Sequence, residues 1–191
     1  GNHHKKKGGI LLRYQQIIFD VDDTIIDFAA TEDFALHSLF NAHHWPLSAE
    51  LQRQYHSYNQ GLWRQLEQGE LTYEELSEMT FHDFILDHFG IEIDGKKAMD
   101  EYRSYFGEAH QLLPGVEDTL KFAKKQGYKL TVLSNGEKFM QNHRLELAGV
   151  KKYFDLIVTS EEAHYSKPNL HAFDYFFSRT EIGPSETVFF G

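Results

Sequence analysis

The stretch QQIIFDVDDTIIDF, residues 15–28, sets Asp20, Asp22 and Asp23 within four positions, directly behind the apolar run Ile17-Ile18-Phe19. Carboxylates this close repel one another and resist joint ionisation, so the cluster needs a counter-charge or open solvent. An acidic turn behind a buried strand is the plain reading. The spacing adds to it. Side chains alternate along extended chain, so Asp20 and Asp22 project to one side while Val21 and Asp23 project to the other. Two carboxylates then share one side of the chain just past a strand end.

Working outward, short apolar runs with β-branched residues recur at 16–21, 129–133, 156–159 and 187–190. Runs hidden on both faces suit central parallel strands. Helical patterns separate the last three. PGVEDTLKFAKKQG puts Val116, Leu120 and Ala123 on one face and stops at Gly127. EKFMQNHRLELAG reads the same way and stops at Gly149, and PNLHAFDYFFSRT spaces Leu170, Phe173, Phe176 and Phe177 as a helix does. Strands alternating with helices indicate an α/β fold with a Rossmann-like, doubly wound parallel sheet.

The exception lies between Thr24 and Pro114, where about ninety residues read as helices, far more than a simple crossover needs. Ser48 and Thr72 stand where N-caps belong, and Glu75 follows Thr72 as in a capping box. This insertion reads as a helical cap over 25–110, with the sheet domain at 10–24 and 111–191 and a tag or disordered arm over 1–9. His3 and His4 fall in that arm and carry no functional weight.

Composition narrows the function. The 191 residues are 41% apolar with no cysteine, which excludes disulfides, thiolate nucleophiles and sulfur-based zinc sites and fits a cytoplasmic protein. A formal charge of −10 argues against a nucleic-acid polymer as partner. No apolar run reaches membrane-spanning length, so a membrane partner is not expected. An acidic protein can still bind a small phosphorylated metabolite through a local cation, and a monomer or homodimer is expected.

In open α/β sheets ligands sit beyond the carboxyl ends of the strands, and each strand end here carries polar residues. Asp20, Asp22 and Thr24 follow the first, Ser134-Asn135-Gly136 ends the second, and Lys167 stands after the third, just before Pro168. A Mg²⁺ ion would relieve the carboxylate repulsion, because hard cations take oxygen ligands. One acid could then attack phosphorus while the other moves protons. Ser134 and the amides of Asn135 and Gly136, opening a helix, would suit an anionic oxygen, with Lys167 as a fixed positive charge. Taken singly, an acidic turn, an SNG turn and a Lys-Pro helix entry are ordinary. Their order along successive strands is specific.

FDVDDTIID, VLSNG and YSKPN resemble the first three signature motifs of the haloacid dehalogenase-like (HAD) hydrolase superfamily. The resemblance implies that Asp20 is the nucleophile forming an aspartyl-phosphate and Asp22 the general acid/base. It implies that Thr24 steadies Asp22, that Ser134 and Lys167 hold phosphoryl oxygens, and that Mg²⁺ is bound by the Asp20 carboxylate and the Asp22 main-chain carbonyl. Aspartate at both 20 and 22 favours phosphate transfer over dehalogenation. YHSYNQGLWRQLEQGELTYEEL with LLPGVEDTL is similar to the pyrimidine 5′-nucleotidase branch, whose members dephosphorylate nucleoside monophosphates.

Three positions depart from the pattern. Glu137 stands where many relatives are apolar, and His164 where a small residue or glycine is usual, which implies a strained turn or a contact with the cap. In the family the strand matching TVFFG runs into Gly-Asp, whereas this sequence stops at Gly191. The expectation is a longer natural protein, and weak magnesium binding and low activity for the 191 residues alone.

Other clusters have plainer explanations. His82, Asp83, Asp87 and His88, like His43 and His44, read as polar helix faces before they read as a zinc site. Phe28, Tyr58 and Trp63 read as core, with one or two left to stack on a nucleobase. Asp27 reads as a polar residue near a hinge. The reading that unites these features is a Mg²⁺-dependent phosphomonoesterase of nucleoside 5′-monophosphates, its cap excluding water when closed. Sugar phosphates or other small esters are the alternative substrates, and a non-catalytic ligand-binding protein is the alternative class. A phosphorylation-controlled receiver domain shares the clustered acids, hydroxyl and lysine, but not the insertion after the first strand.

Overall fold

The computed structural model describes residues 13–191 and the main chain of two short strands before them, β1 (Lys6–Lys7) and β2 (Ile10–Leu11), which pair antiparallel. The remaining positions of the expected arm lie outside the described residues. From there the chain runs through β3 (Gln16–Phe19), the helices α1 (Phe28–Ala42), α2 (Ala49–Glu67), α3 (Tyr73–Phe89) and α4 (Gly95–Phe106), then α5 (Val116–Lys125) and β4 (Lys129–Ser134). It ends with α6 (Lys138–Leu147), β5 (Leu156–Thr159), the single turn α7 (Ser160–Ala163), α8 (Leu170–Ser178) and β6 (Thr187–Phe190).

Two compact units result, one holding the chain up to Thr31 and from His110 onward, the other Glu32–Ala109. In the first, four strands lie in the order β5-β4-β3-β6, all parallel, with Ile17 opposite Leu130 and Val188, and Phe19 opposite Val132 and Phe190. The doubly wound α/β sheet expected from the strand and helix pattern is therefore present. Alternation along β3 divides its side chains between two cores. Ile17 and Phe19 pack with Leu120 and Ala123 of α5 and Leu145 of α6. Ile18 packs on the other face with Leu133, Val158 and Phe176 of α8. Each such fully buried side chain contributes roughly 1.5–3 kcal/mol, so the strand is held from both faces.

The strand order has a functional consequence. The chain leaves β3 to build β4 and β5 on one side, then returns to add β6 on the other. Open α/β sheets take their ligands beyond the strand ends where such a reversal occurs, here at the carboxyl end of β3. Asp20 is the first residue past that end.

The second unit is helical. The Ser48 hydroxyl accepts the Leu51 amide at the start of α2, and Thr72 and Glu75 form the reciprocal capping box that opens α3. Gly90, at φ 65°, closes α3 in the left-handed conformation that glycine adopts without strain. Tyr55, Phe81, Phe84 and Tyr102 fill its core together with Leu36, Leu39 and Phe40 of α1. The sequence placed this domain at 25–110; the first turn of α1 instead stays with the sheet unit.

Candidate active site

Behind β3 the backbone makes a pinned turn. The Val21 carbonyl accepts the amides of Thr24 (3.4 Å), Ile25 (2.9 Å) and Ile26 (2.9 Å), and the Asp23 amide donates to the Ile26 carbonyl (2.8 Å). Val21, Ile25 and Ile26 are wholly buried and anchor the turn in the core. Asp23 takes φ 61°, a left-handed conformation that aspartate tolerates better than most residues, and its Oδ1 accepts the Phe28 amide at 3.0 Å. The third acid of the cluster therefore closes the turn. Asp27 acts in a similar way, since its Oδ1 accepts the Ala30 amide at 3.0 Å and starts α1.

Asp20 and Asp22 are each met by a different cation. Asp20 Oδ1 lies 3.1 Å from Lys167 Nζ and accepts the Val21 amide at 2.8 Å. Asp22 Oδ1 lies 2.9 Å from an Arg144 nitrogen of α6. Two fixed cations, Lys167 and Arg144, thus already offset the repulsion that Mg²⁺ was expected to relieve. Gly191 runs so close to Asp20 that a Cβ there would sit 2.9 Å from Asp20 Cβ.

The residues beyond β4 have separate roles. Ser134 is 1% exposed, and its Oγ accepts from Gln141 Nε2 at 2.7 Å. The Asn135 side chain clamps the Lys167 backbone twice, accepting the Lys167 amide (2.7 Å) and donating to the Lys167 carbonyl (3.1 Å). One expectation is corrected here. The Gly136 amide is not an open anion donor, because it donates to Ser160 Oγ at 2.9 Å. β4 and β5 end side by side, with Ser134 opposite Thr159, which brings the next residue, Ser160, within reach. The Asn135 amide makes no hydrogen bond among the described residues. Thr24, expected to steady Asp22, makes no side-chain hydrogen bond among them either; the groups around Asp22 include Arg144 and, beyond it, Thr31.

Arg144, Gln141 and Ser160 were not found from the sequence. A signal was present for two of them. The face of α6 read as apolar carries Gln141 and Arg144, both 2% exposed, beside Leu145. A glutamine and an arginine on an inward helix face need polar partners, and the strand-end site supplies them.

The oxygens left over fit magnesium. The Asp20 carboxylate and the Asp22 main-chain carbonyl are hard donors, and the carbonyl makes no hydrogen bond among the described residues. Mg²⁺ keeps several waters and needs only one or two protein ligands besides the substrate's oxygens. Among the described residues no set of three or more Asp, Glu, His or Cys side chains is grouped to hold a metal ion. The histidines read as helix-face residues have neighbours of their own: His82 contacts Asp83 (2.8 Å) and His88 contacts Gln54 (3.0 Å). His43 contacts Glu101 (2.6 Å) and stacks on Trp45. His164 takes φ 62° where it ends α7, the constrained turn expected of that position. Phe28 and Trp63 are partly exposed, while the Tyr58 hydroxyl donates to the Met79 carbonyl (3.1 Å). Among the described residues no helix is long and apolar enough to cross a membrane.

A doubly wound sheet with polar residues at its switch point defines a class, the open α/β proteins that take their ligands beyond the carboxyl ends of the strands. The particular family follows from comparison: residues 14–191 match the haloacid dehalogenase-like hydrolases, and the chain belongs to that family. The HAD-hydrolase YfnB of Bacillus subtilis is 38% identical over 167 residues, covering 87% of this chain and 70% of that one. Pyrimidine 5′-nucleotidase PynA of Streptococcus pneumoniae is 31% identical over 156 residues, 82% of this chain and 65% of PynA. The chain thus spans about two thirds of these relatives. Among solved structures, that of YfnB bound to magnesium superposes with a TM-score of 0.82 at 36% identity, covering 93% of this chain and 77% of that one.

Proposed function

We propose that the protein is a Mg²⁺-dependent phosphomonoesterase whose substrates are nucleoside 5′-monophosphates, pyrimidine nucleotides first. One observation carries the reading: Asp20, at the switch point, has one oxygen fixed by Lys167 and the Val21 amide while the other is open. Such a carboxylate is oriented for attack, and the lysine is in place for the oxygens of the group attacked. The nucleotide preference is supported by the likeness to a named pyrimidine 5′-nucleotidase over most of the chain.

In the first half-reaction an Asp20 oxygen bonds to phosphorus, the phosphorus–oxygen ester bond breaks, and the leaving alcohol takes a proton from the Asp22 carboxyl. In the second, water attacks the aspartyl-phosphate, Asp22 accepts its proton, and the bond from Asp20 to phosphorus breaks to release inorganic phosphate. Lys167, Ser134 and the Asn135 amide hold the phosphoryl oxygens throughout, where fixed donors need no reorganisation. The Asp20 carboxylate and Asp22 carbonyl would hold Mg²⁺, which when bound neutralises phosphoryl charge.

A panel of nucleoside monophosphates, sugar phosphates and other small esters, read by phosphate release, tests this. Pyrimidine nucleotides should be turned over at least tenfold faster than the rest, and Asp20→Asn should reduce release to background. Equal turnover of every ester defeats the nucleotide assignment. Undiminished turnover by Asp20→Asn removes Asp20 from the mechanism.

A further inference from the structure

Gln141 and Arg144 are one helical turn apart on the inward face of α6, and they join two site residues that lie on different strand ends. Arg144 donates to Gln141 Oε1 (2.9 Å), to Asp22 Oδ1 (2.9 Å) and to Thr31 Oγ1 (3.2 Å), with a longer approach to Asp22 Oδ2 (3.5 Å). An arginine only donates, so the Gln141 carbonyl oxygen must face it and the Gln141 NH₂ must face Ser134. That NH₂ donates to Ser134 Oγ at 2.7 Å. Thr31 takes part in a defined sense as well: its hydroxyl donates to the Asp27 carbonyl at 2.8 Å, which leaves its lone pairs for Arg144.

Two consequences follow for the proposed reaction. Ser134 accepts from Gln141, so its own proton, which among the described residues meets only the Asn135 carbonyl at 3.4 Å, is left for an anionic oxygen. Asp22 is anchored firmly through Oδ1 and weakly through Oδ2, so Oδ2 is the oxygen free to carry and exchange a proton. An anchor on one oxygen suits both halves of the reaction, since it holds the carboxyl in place with or without that proton.

Resting on the phosphatase reading above, we infer that Arg144 and Gln141 are positioning residues, a buried relay from Ser134 to Asp22 that aims the proton-exchanging oxygen of Asp22. In this relay Arg144 acts through Asp22.

The full chain is compared with Arg144→Ala using 4-nitrophenyl phosphate, whose leaving group departs without a proton. Formation of the aspartyl-phosphate should then survive, seen as a burst of 4-nitrophenolate equal to the enzyme concentration and within about threefold of the original rate. Steady-state turnover, which needs Asp22 to take a proton from water, should fall about 10²-fold, the loss that misplacement by an ångström produces. Millimolar guanidinium, entering the vacated space, should restore much of it. An equal loss in burst and steady state, or no loss, overturns the inference. Should Arg144→Ala fail to fold, Arg144→Lys is read the same way: burst retained with slowed turnover supports the relay, and parallel loss overturns it. The underlying phosphatase reading fails separately, if the unaltered protein releases no 4-nitrophenolate or Asp20→Asn matches it.

Discussion

Lys167 Nζ stands 3.1 Å from Asp20 Oδ1 and 5.2 Å from the centre of the Phe189 ring, so one ammonium is held between the end of β3 and the aromatic face of β6. Its side chain is 11% exposed. On the phosphatase reading proposed above, a cation fixed this way would meet the phosphoryl charge. Lys167→Met is expected to lower kcat by about 10²–10³, the usual loss on removing one preorganised donor. Steady-state phosphate release checks this, with circular dichroism to confirm the fold.

The lysine is itself positioned by Asn135, whose amide group grips both the N–H and the carbonyl of Lys167. Asn135→Ala removes both bonds and should destabilise the protein by about 1–3 kcal/mol, at roughly 0.5–1.5 kcal/mol for each bond lost. Turnover should fall along with it. Asn135→Asp keeps the acceptor for the Lys167 amide and should lie between the two in thermal unfolding.

Metal removal gives a direct test of the oxygen set at Asp20 and Asp22. Dialysis against EDTA should abolish phosphate release, and Mg²⁺ should restore it. Ca²⁺ should restore it poorly, because Ca²⁺ favours six to eight ligands at longer distances than the near-octahedral Mg²⁺. Full activity in EDTA would remove magnesium from the reaction.

Within the helical unit, α3 and α4 meet at Gly95. A methyl group there would run into the Glu78 carbonyl oxygen and come within 2.9 Å of His82 Cβ. Backbone cannot turn aside as a side chain can, so Gly95→Ala should cost about 1–3 kcal/mol through overpacking. The unfolding midpoint in urea reads it.

Burial pushes the phenols of Tyr55, Tyr58 and Tyr102 above the ordinary tyrosine value, with nearby acids adding to the effect. The protonated phenol is the form the fold keeps. The stability this contributes is whole below the unfolded value of about 10 and is lost as pH rises toward the folded values. In an alkaline titration followed at the phenolate absorbance, these three of the ten tyrosines should ionise only as the protein unfolds.

What could be read beforehand follows the range of the forces involved. The capping box at Thr72 and Glu75 and the turns at Gly127 and Gly149 depend on residues a few positions apart, and all are visible in the chain. The sheet was legible for the same reason, since strands buried on both faces have to be apolar along their length. Thr24 shows the limit of motif reading: it stands in the expected place, yet Asp22 takes its partner from α6.

The sequence by itself determined a parallel sheet with acids beyond its first strand and a lysine beyond its third, because strand periodicity and turn chemistry are local. Only the tertiary structure decided that Lys167 answers Asp20 and Arg144 answers Asp22, and that Ser160 occupies the Gly136 amide. Those pairings depend on strand register and on the rotation of α6 against the sheet. Both are fixed by the packing of Leu145 and its neighbours into the core, a property of the whole unit that no short stretch of sequence contains.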